Sequence, residues 1–362
     1  MTKLAWRRTW FQIHKWIGLI LAILIIPLSL SGAALVWHDA LDRIVNPARY
    51  QISGTTQRTP DVYADAARAA LRPGERIAQL SLPEGHGPIT VAAAPASADP
   101  GRRGPLPRTM IYLDPPTARV LDVAGSQAGL VRFLHILHGS LQIPGLGRTI
   151  VGWIGVAMLL SSMTGLWLWW PTVGSWSRGL RWRRHRNTDS NLHHMIGFWI
   201  ALPLFVLSLT GVWISFPGVF GGGRGGPDRG GQRAVPLAEP GQPLDLVVAR
   251  AASVRRGALR SIAWPTSASA DWTVTYANGQ VVKIADDNGV AVAAPARRPG
   301  GLARTMRRLH DGGGMGIVWQ IVIFLGGIAP AVLAVTGIIM WWRAREWRSK
   351  AASARGGRTA TR

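Results

Sequence analysis

Cysteine is absent from the 362 residues. Disulfides, iron–sulfur clusters, thiolate zinc sites and haem attached through a C-x-x-C-H sequence are therefore excluded. Any metal or cofactor must be held by His, carboxylate, Met or backbone groups. Charge is scarce as well: 16% of residues are Asp, Glu, Lys or Arg, against roughly 25% in soluble domains. Acid is the scarcer sign, with 18 Asp and Glu against 41 Lys and Arg. A G-x-G-x-x-G dinucleotide fingerprint following a strand is also missing.

The charge deficit is uneven. Residues 16–37, 149–175, 192–215 and 312–342 contain no Lys, Arg, Asp or Glu at all. Each run is long enough to cross the ~30 Å hydrocarbon layer, which takes about 20 apolar residues. The expected fold class is therefore a mainly α membrane protein with four transmembrane helices, at 16–37, 138–170, 192–215 and 314–342. The first of these follows a basic stretch but is too long for a signal-peptide core, so it reads as an uncleaved anchor. Basic residues crowd the short segments beside the spans: 1–15, the loop 171–191 with Arg178, Arg181, Arg183, Arg184 and Arg186, and 343–362. By the positive-inside rule these three are cytoplasmic. The long segments 38–134 and 216–309 then lie on the other face, the periplasm of a bacterium whose inner membrane holds the chain. The net charge of +23 invites a nucleic-acid reading, but its placement beside membrane ends makes the lipid bilayer the partner and argues against nucleic acid. Sixteen of the 18 Trp lie in or beside the spans, as an interfacial aromatic belt would.

The chain repeats itself. His14 and Gly18 begin a phrase that ends at Ser31-Gly32; His193 and Gly197 begin one that ends at Thr210-Gly211. From His to the terminal Gly is 18 residues in both. His138 leads to Thr164-Gly165, and His310 to Thr336-Gly337, 27 residues in both, each followed by paired Trp. Two long spacings preserved together indicate an internal duplication. The outer segments match more loosely. DVYADAARAAL (61–71) and LDLVVARAASV (244–254) are helix-like and precede strand candidates, with Asn278-Gly279 as a hairpin signal. Each outer segment reads as a small α+β domain. GGGRGGPDRGG (221–231) and PASADPGRRGP (95–105) read as linkers or loop tips; Arg102 and Arg103 in the second read as solvated.

Four of the nine histidines, His14, His138, His193 and His310, recur at repeat positions, each at the membrane entry of a span. Ionisable groups there are functional candidates by default. Spans one and three start on the inner side, so His14 and His193 share a depth; His138 and His310 share one near the outer face. Two imidazoles at one depth on different helices suit axial ligation of a haem iron. A zinc site would ask for three or four converging ligands. Gly18 and Gly197, one turn beyond their histidines, would let a flat macrocycle approach the backbone, although small residues also serve plain helix packing. His135 lies on the face of His138 and is the first alternative ligand; His194 and His38 are further alternatives. His86 and His185 read as solvated.

At these residues the sequence resembles the PepSY-associated transmembrane family of iron-regulated inner-membrane proteins, which includes ferrisiderophore reductases. The resemblance is carried by IHKWIGL (13–19) with LSLSG, LHGSL (137–141) with SMTGLWLWWP (162–171), NLHHMIGFW (191–199) with SLTG, and LHDGG (309–313) with VTGIIMWWR (335–343). It covers about residues 7 to 345. The outer domains look like PepSY modules, with IYLDPPTARVL (111–121) as the strand turn and Ala118 where the family commonly has Gly.

The resemblance implies a haem-b reductase with two haems, held by His14 with His193 and by His138 with His310. It would pass electrons outward to ferric iron in a siderophore complex docked between the outer domains, whose net positive charge favours an anionic complex. Trp153, Trp167, Trp199 or Trp213 could lie between the haems, packing being the default. The electron donor would be a separate reductase, a quinol or a soluble flavin. Three other readings stay open: a haem protein serving another periplasmic acceptor, a non-catalytic protein assisting siderophore or iron transport, and a carrier built as a parallel repeat, with Pro27 and Pro203 in corresponding halves.

Overall fold

The computed structural model describes residues 2–97, 106–170, 177, 180–181, 185–220, 234–295 and 301–359. Arg102, Arg103, Arg178, Arg183, Arg184 and most of the 221–231 and 95–105 linkers lie outside the described residues. The chain divides into two compact units, one of Met1–His38, Phe133–Gly223 and Gly300–Arg362, the other of Asp39–Arg132 and Arg224–Pro299.

The first unit is helical. Among the described residues four helical stretches are long and apolar enough to cross a membrane, Leu4–Leu35, Gly147–Trp169, Thr188–Ser215 and Gly316–Trp347. They lie in α1 (Lys3–Leu35), α5 (Gly147–Trp169), α6 (Thr188–Ser215) and α9 (Gly316–Thr359). α1 packs on α5 and α9, and α6 packs on the same two, so the four close into a bundle. Large apolar side chains such as Ile23 (79% exposed) and Val318 (73%) face outward. In water that surface would drive association; in lipid it is satisfied.

The helix bounds differ from the charge-free runs. α1 already begins at Lys3, with Thr2 as its cap accepting from the Ala5 amide. Its basic first turns are helix rather than tail, so His14 sits inside α1, not at its entry. The expected 138–170 span is two helices. α4 (Leu130–Ser140) stops before Leu141 and Gln142, both at positive φ, and α5 starts only after Pro144 and Gly145. The same break precedes α9: α8 (Leu302–Asp311) ends on Gly312 in the left-handed conformation, with Gly314 and Gly316 also at positive φ. Glycine takes that conformation without the Cβ penalty. His138 and His310 therefore ride on short helices ahead of the spans.

The second unit is α+β. After α2 (His38–Val45) and a 3-10 turn (Pro47–Tyr50), residues 60–125 give α3 (Pro60–Ala69), β1 (Glu75–Ser81), β2 (Ile89–Pro95), β3 (Thr109–Leu113) and β4 (Val120–Gly125). Residues 244–293 give α7 (Leu244–Val254), β5 (Leu259–Ala263), β6 (Asp271–Tyr276), β7 (Val281–Ala285) and β8 (Ala291–Ala293). Asn278-Gly279 turns β6 into β7, with Gly279 at φ +81°. Two separate domains were expected from the two segments, but the eight strands form one antiparallel sheet, β4-β3-β2-β1-β5-β6-β7-β8. The join is β1 against β5, Leu80 opposite Ile262. A four-stranded half standing alone would leave β1 or β5 as an edge with a row of unpaired amides and carbonyls; pairing the two removes both edges. One core follows, with Tyr63 and Ala67 of α3, Val247 and Ala251 of α7, and Leu80, Ile111, Ile262, Trp272 and Val274 of the sheet.

The β3–β4 turn is held by Asp114, which is fully buried. Its carboxylate accepts from the Ser53 amide (2.7 Å), the Ser53 hydroxyl (2.6 Å) and the Thr117 hydroxyl. Burial disfavours the charge, but these donors and Arg119 outweigh it and hold the carboxyl below its ordinary value of 3.8. Ala118 follows at φ +57° with its methyl buried, so left-handed strain there is offset by packing. Asp114→Asn should cost roughly 1–3 kcal/mol at neutral pH, because donors then face an amide. The carboxylate's contribution is complete above 3.8 and is lost as pH falls through the lower folded value. Thermal melts of the wild-type and variant chains should therefore converge at the acid end, and a gap independent of pH would contradict this account.

Candidate functional site: two imidazole pairs

The bundle brings the four repeat histidines together two by two. His14 of α1 and His193 of α6 have ring centroids 6.4 Å apart, with planes at 84°. His138 of α4 and His310 of α8 are 6.0 Å apart, at 39°. With metal–nitrogen bonds of about 2.0–2.1 Å, and roughly 1.1 Å from a ring nitrogen to the ring centre, trans imidazoles on one metal ion have centroids about 6.2–6.4 Å apart. Both pairs stand close to that separation.

Each ring is also oriented. Nδ1 of His138 lies 2.8 Å from the Leu28 carbonyl. Nδ1 of His310 lies 3.1 Å from the Leu207 carbonyl and 3.0 Å from the Thr210 hydroxyl. Nδ1 of His193 lies 2.9 Å from the Thr336 hydroxyl. Nδ1 of His14 lies 3.1 Å from the Thr164 hydroxyl and 3.3 Å from that of Ser161. A carbonyl can only accept, so Nδ1 of His138 and His310 carries the proton. Thr164 and Thr336 already donate their hydroxyl protons to carbonyls one turn back, Leu160 and Val332, at 2.8 Å. They too present a lone pair to Nδ1. The network places a proton on Nδ1 of all four rings, so in the neutral form the Nε2 lone pair is the one available to a metal, as in metal-bound histidine.

The residues behind the rings are the Ser/Thr-Gly pairs that mark the sequence repeat. A Cβ at Gly32 would lie 2.6 Å from His138 Cε1; at Gly165, 3.1 Å from His14 Cε1; at Gly211, 3.2 Å from His310 Cε1; at Gly337, 3.6 Å from His193 Cε1. Within each half of the chain, each imidazole rests on the other span's Ser/Thr-Gly, while the pairing of imidazoles crosses between the halves. Sequence reasoning used these Ser/Thr-Gly pairs only as landmarks of the repeat. The constant distance from each His to a Ser/Thr-Gly was the signal that could have revealed their role.

The other candidates fall elsewhere. A Cβ at Gly18 would meet nothing within 4 Å, and one at Gly197 only Leu333 at 3.9 Å. His135 faces His38 at 5.8 Å, not the His138–His310 pair. His194 stacks on His185 at 4.3 Å. His185, read as solvated, is exposed, while Asn191 grips its backbone amide and carbonyl at 2.7 and 2.8 Å. Trp153, Trp167 and Trp199 are 61–68% exposed and Trp213 stacks on Phe220, so the first three lie on the bundle's outside rather than between the pairs. Among the described residues no group of three or more His, Cys, Asp or Glu converges to hold a metal ion. Two imidazoles per level is the arrangement present.

The fold and this geometry define a membrane-type helical bundle with two levels of paired imidazoles, joined in sequence to an eight-stranded α+β unit. The chain belongs to the PepSY-associated TM region family, whose match spans residues 11–344. No curated protein matches it.

The contact distances order the glycines. Gly32→Ala should cost about 1–3 kcal/mol through overpacking against His138, whereas Gly337→Ala, at an ordinary contact distance, should change stability by less than about 0.5 kcal/mol. Thermal unfolding of the detergent-purified variants measures both, and equal effects would break the link between these glycines and the rings.

Proposed function

We propose that the chain is a haem-b reductase of the bacterial inner membrane, built by internal duplication, with both termini cytoplasmic, that carries electrons outward to ferric iron in a siderophore complex. The observation that supports it is the pairing: two sets of imidazoles with ring centroids 6.4 and 6.0 Å apart, each ring with Nδ1 tethered to a neighbouring helix and each pair drawn from both halves. A porphyrin supplies four nitrogens of its own, so two imidazoles complete its iron, and a carboxylate is not needed. The donor set therefore suits haem better than zinc, which asks for three or four protein ligands. Bound there, each haem supplies a one-electron centre.

The chain's own residues have defined tasks in this reading. His14 and His193 hold the inner position, His138 and His310 the outer one. The Thr and backbone acceptors fix the tautomer and raise the basicity of the ligands. The Ser/Thr-Gly glycines let the rings approach the helix backbone. Iron(III) held by hard oxygen donors is released when one electron makes it iron(II), so an outward electron path would suffice for iron release. The donor to the inner level would be a separate reductase, a quinol or a soluble flavin.

A reduced-minus-oxidised spectrum of the detergent-purified chain should be of b type, with about two haems per chain by pyridine-haemochrome counting. His14→Ala and His138→Ala should each remove one. Thr336→Val should retain both haems but shift one midpoint potential, because the His193 tether is lost. The reduced protein should reduce a ferric hydroxamate or catecholate complex, trapped as an Fe(II) chelate. A colourless preparation from haem-replete cells, or haem content indifferent to both His substitutions, would end this reading. Haem present without activity on any ferric complex in a panel would instead point to another acceptor.

A further inference from the structure

The sequence placed His38 and His135 in reserve as substitute ligands for the outer level. The structure pairs them with each other. We infer that His38 and His135 form a separate site for a single divalent first-row cation, and that its cargo is the ferrous ion leaving the reduction proposed above.

His38 follows the end of α1 and begins α2; His135 stands on α4, three residues before His138, on the same helical face. Their ring centroids are 5.8 Å apart, with planes at 77°. That is a little under the trans separation of about 6.2–6.4 Å, as a bent nitrogen–metal–nitrogen angle requires. His38 Nδ1 lies 3.2 Å from the Leu35 carbonyl, which orients the ring.

The pair differs from the two haem-type pairs in what surrounds it. No Ser/Thr-Gly backs either ring: among the described residues no glycine's Cβ would meet His38 or His135. Both side chains are exposed, where the four haem-type histidines are half-buried. A macrocycle has no helix-backed slot here, whereas a small ion with a water shell can enter and leave.

The chemistry of the cargo follows from hardness. Iron(III) in a siderophore is held by charged oxygen donors. One electron from the reductase reaction converts it to iron(II), and the chelate's oxygens are released and protonated from water. Iron(II) accepts imidazole readily, so two imidazole nitrogens, with water filling the remaining positions, take the place of the departing oxygens. Nothing further is oxidised or reduced. The site lies about one helical turn from His138 along α4, beside the outer pair. The cargo assignment rests on the reductase reading; the existence of the site does not.

The test uses the purified full chain in detergent under anaerobic conditions, titrated with Co(II) and, separately, Fe(II). The expected result is one ion bound per chain, with at least tenfold weaker binding in each of His38→Gln and His135→Gln, unchanged binding in His185→Gln, and unchanged haem content in all three. No binding by the wild type, or equal binding in the His38 and His135 variants, overturns the site. A fall in haem count in either variant would make the pair a haem ligand set and overturns it too. A colourless chain that still binds Co(II) at this pair would retain the cation site while removing both the reductase reading and the ferrous cargo.

Discussion

The hydrogen bond from each imidazole Nδ1 to a neighbouring helix is the constraint on which the rest of the bundle depends. An imidazole inside an apolar helix bundle has two nitrogens to satisfy and no water to satisfy them. Binding Nδ1–H to a carbonyl or hydroxyl settles one nitrogen, the tautomer and the ring's direction together. The acceptors are themselves determined. A Ser or Thr in a helix returns its hydroxyl proton to a carbonyl three or four residues back, as Thr164, Thr210 and Thr336 do. Each is then left with a lone pair facing outward. At His138 the hydroxyl is a serine: Ser31 donates to the Leu28 carbonyl at 2.9 Å, the same carbonyl that takes the His138 proton. The glycine that follows each hydroxyl residue removes the methyl that would hold the ring away.

These contacts divide the work between the halves. Each half seats its own two histidines through contacts between its own spans: α1 with α4 and α5, α6 with α8 and α9. The pairing of the rings crosses between the halves instead, at two levels, and rests on the packing of α1 on α9 and of α5 on α6. Seating and pairing are thus separable. A change at Gly32 or Thr336 perturbs one ring's orientation, while a change in the α1–α9 or α5–α6 packing would alter the separation within a pair.

Much of this was legible in the sequence, because charge is expensive in lipid and spacing is preserved by packing. The charge-free runs gave four apolar helices, and His-to-Gly distances of 18 and 27 residues gave the four histidines that the structure brings together. Three things were not legible. Hydropathy does not register a left-handed turn, so the break at Leu141-Gln142 was read as continuous span. Charge counting took the start of α1 for a tail, since Arg7 and Arg8 are helical despite their charge; Arg7 reaches the Leu168 and Trp170 carbonyls at the end of α5, where a cation is favoured. And the joining of two sheets through β1 and β5 depends on backbone groups, which carry no side-chain pattern, so two domains were expected where one core exists.

Because each pair draws one imidazole from each half, an ion held as proposed would also be a cross-link. A ligand bound only by the folded state stabilises it by RT ln(1 + [L]/Kd), about 4 kcal/mol at a thousandfold excess over Kd. That is a large share of the 5–15 kcal/mol typical of a folded domain. Interfaces between membrane helices lack the hydrophobic drive that holds soluble cores, lipid being as apolar as Leu. Two such links, one per level, would therefore contribute to holding α1 against α6 and α4 against α8 as well as to any chemistry. The Nδ1 tethers would keep that contribution available: with four rings already oriented, little further ordering would be needed for an ion to bind.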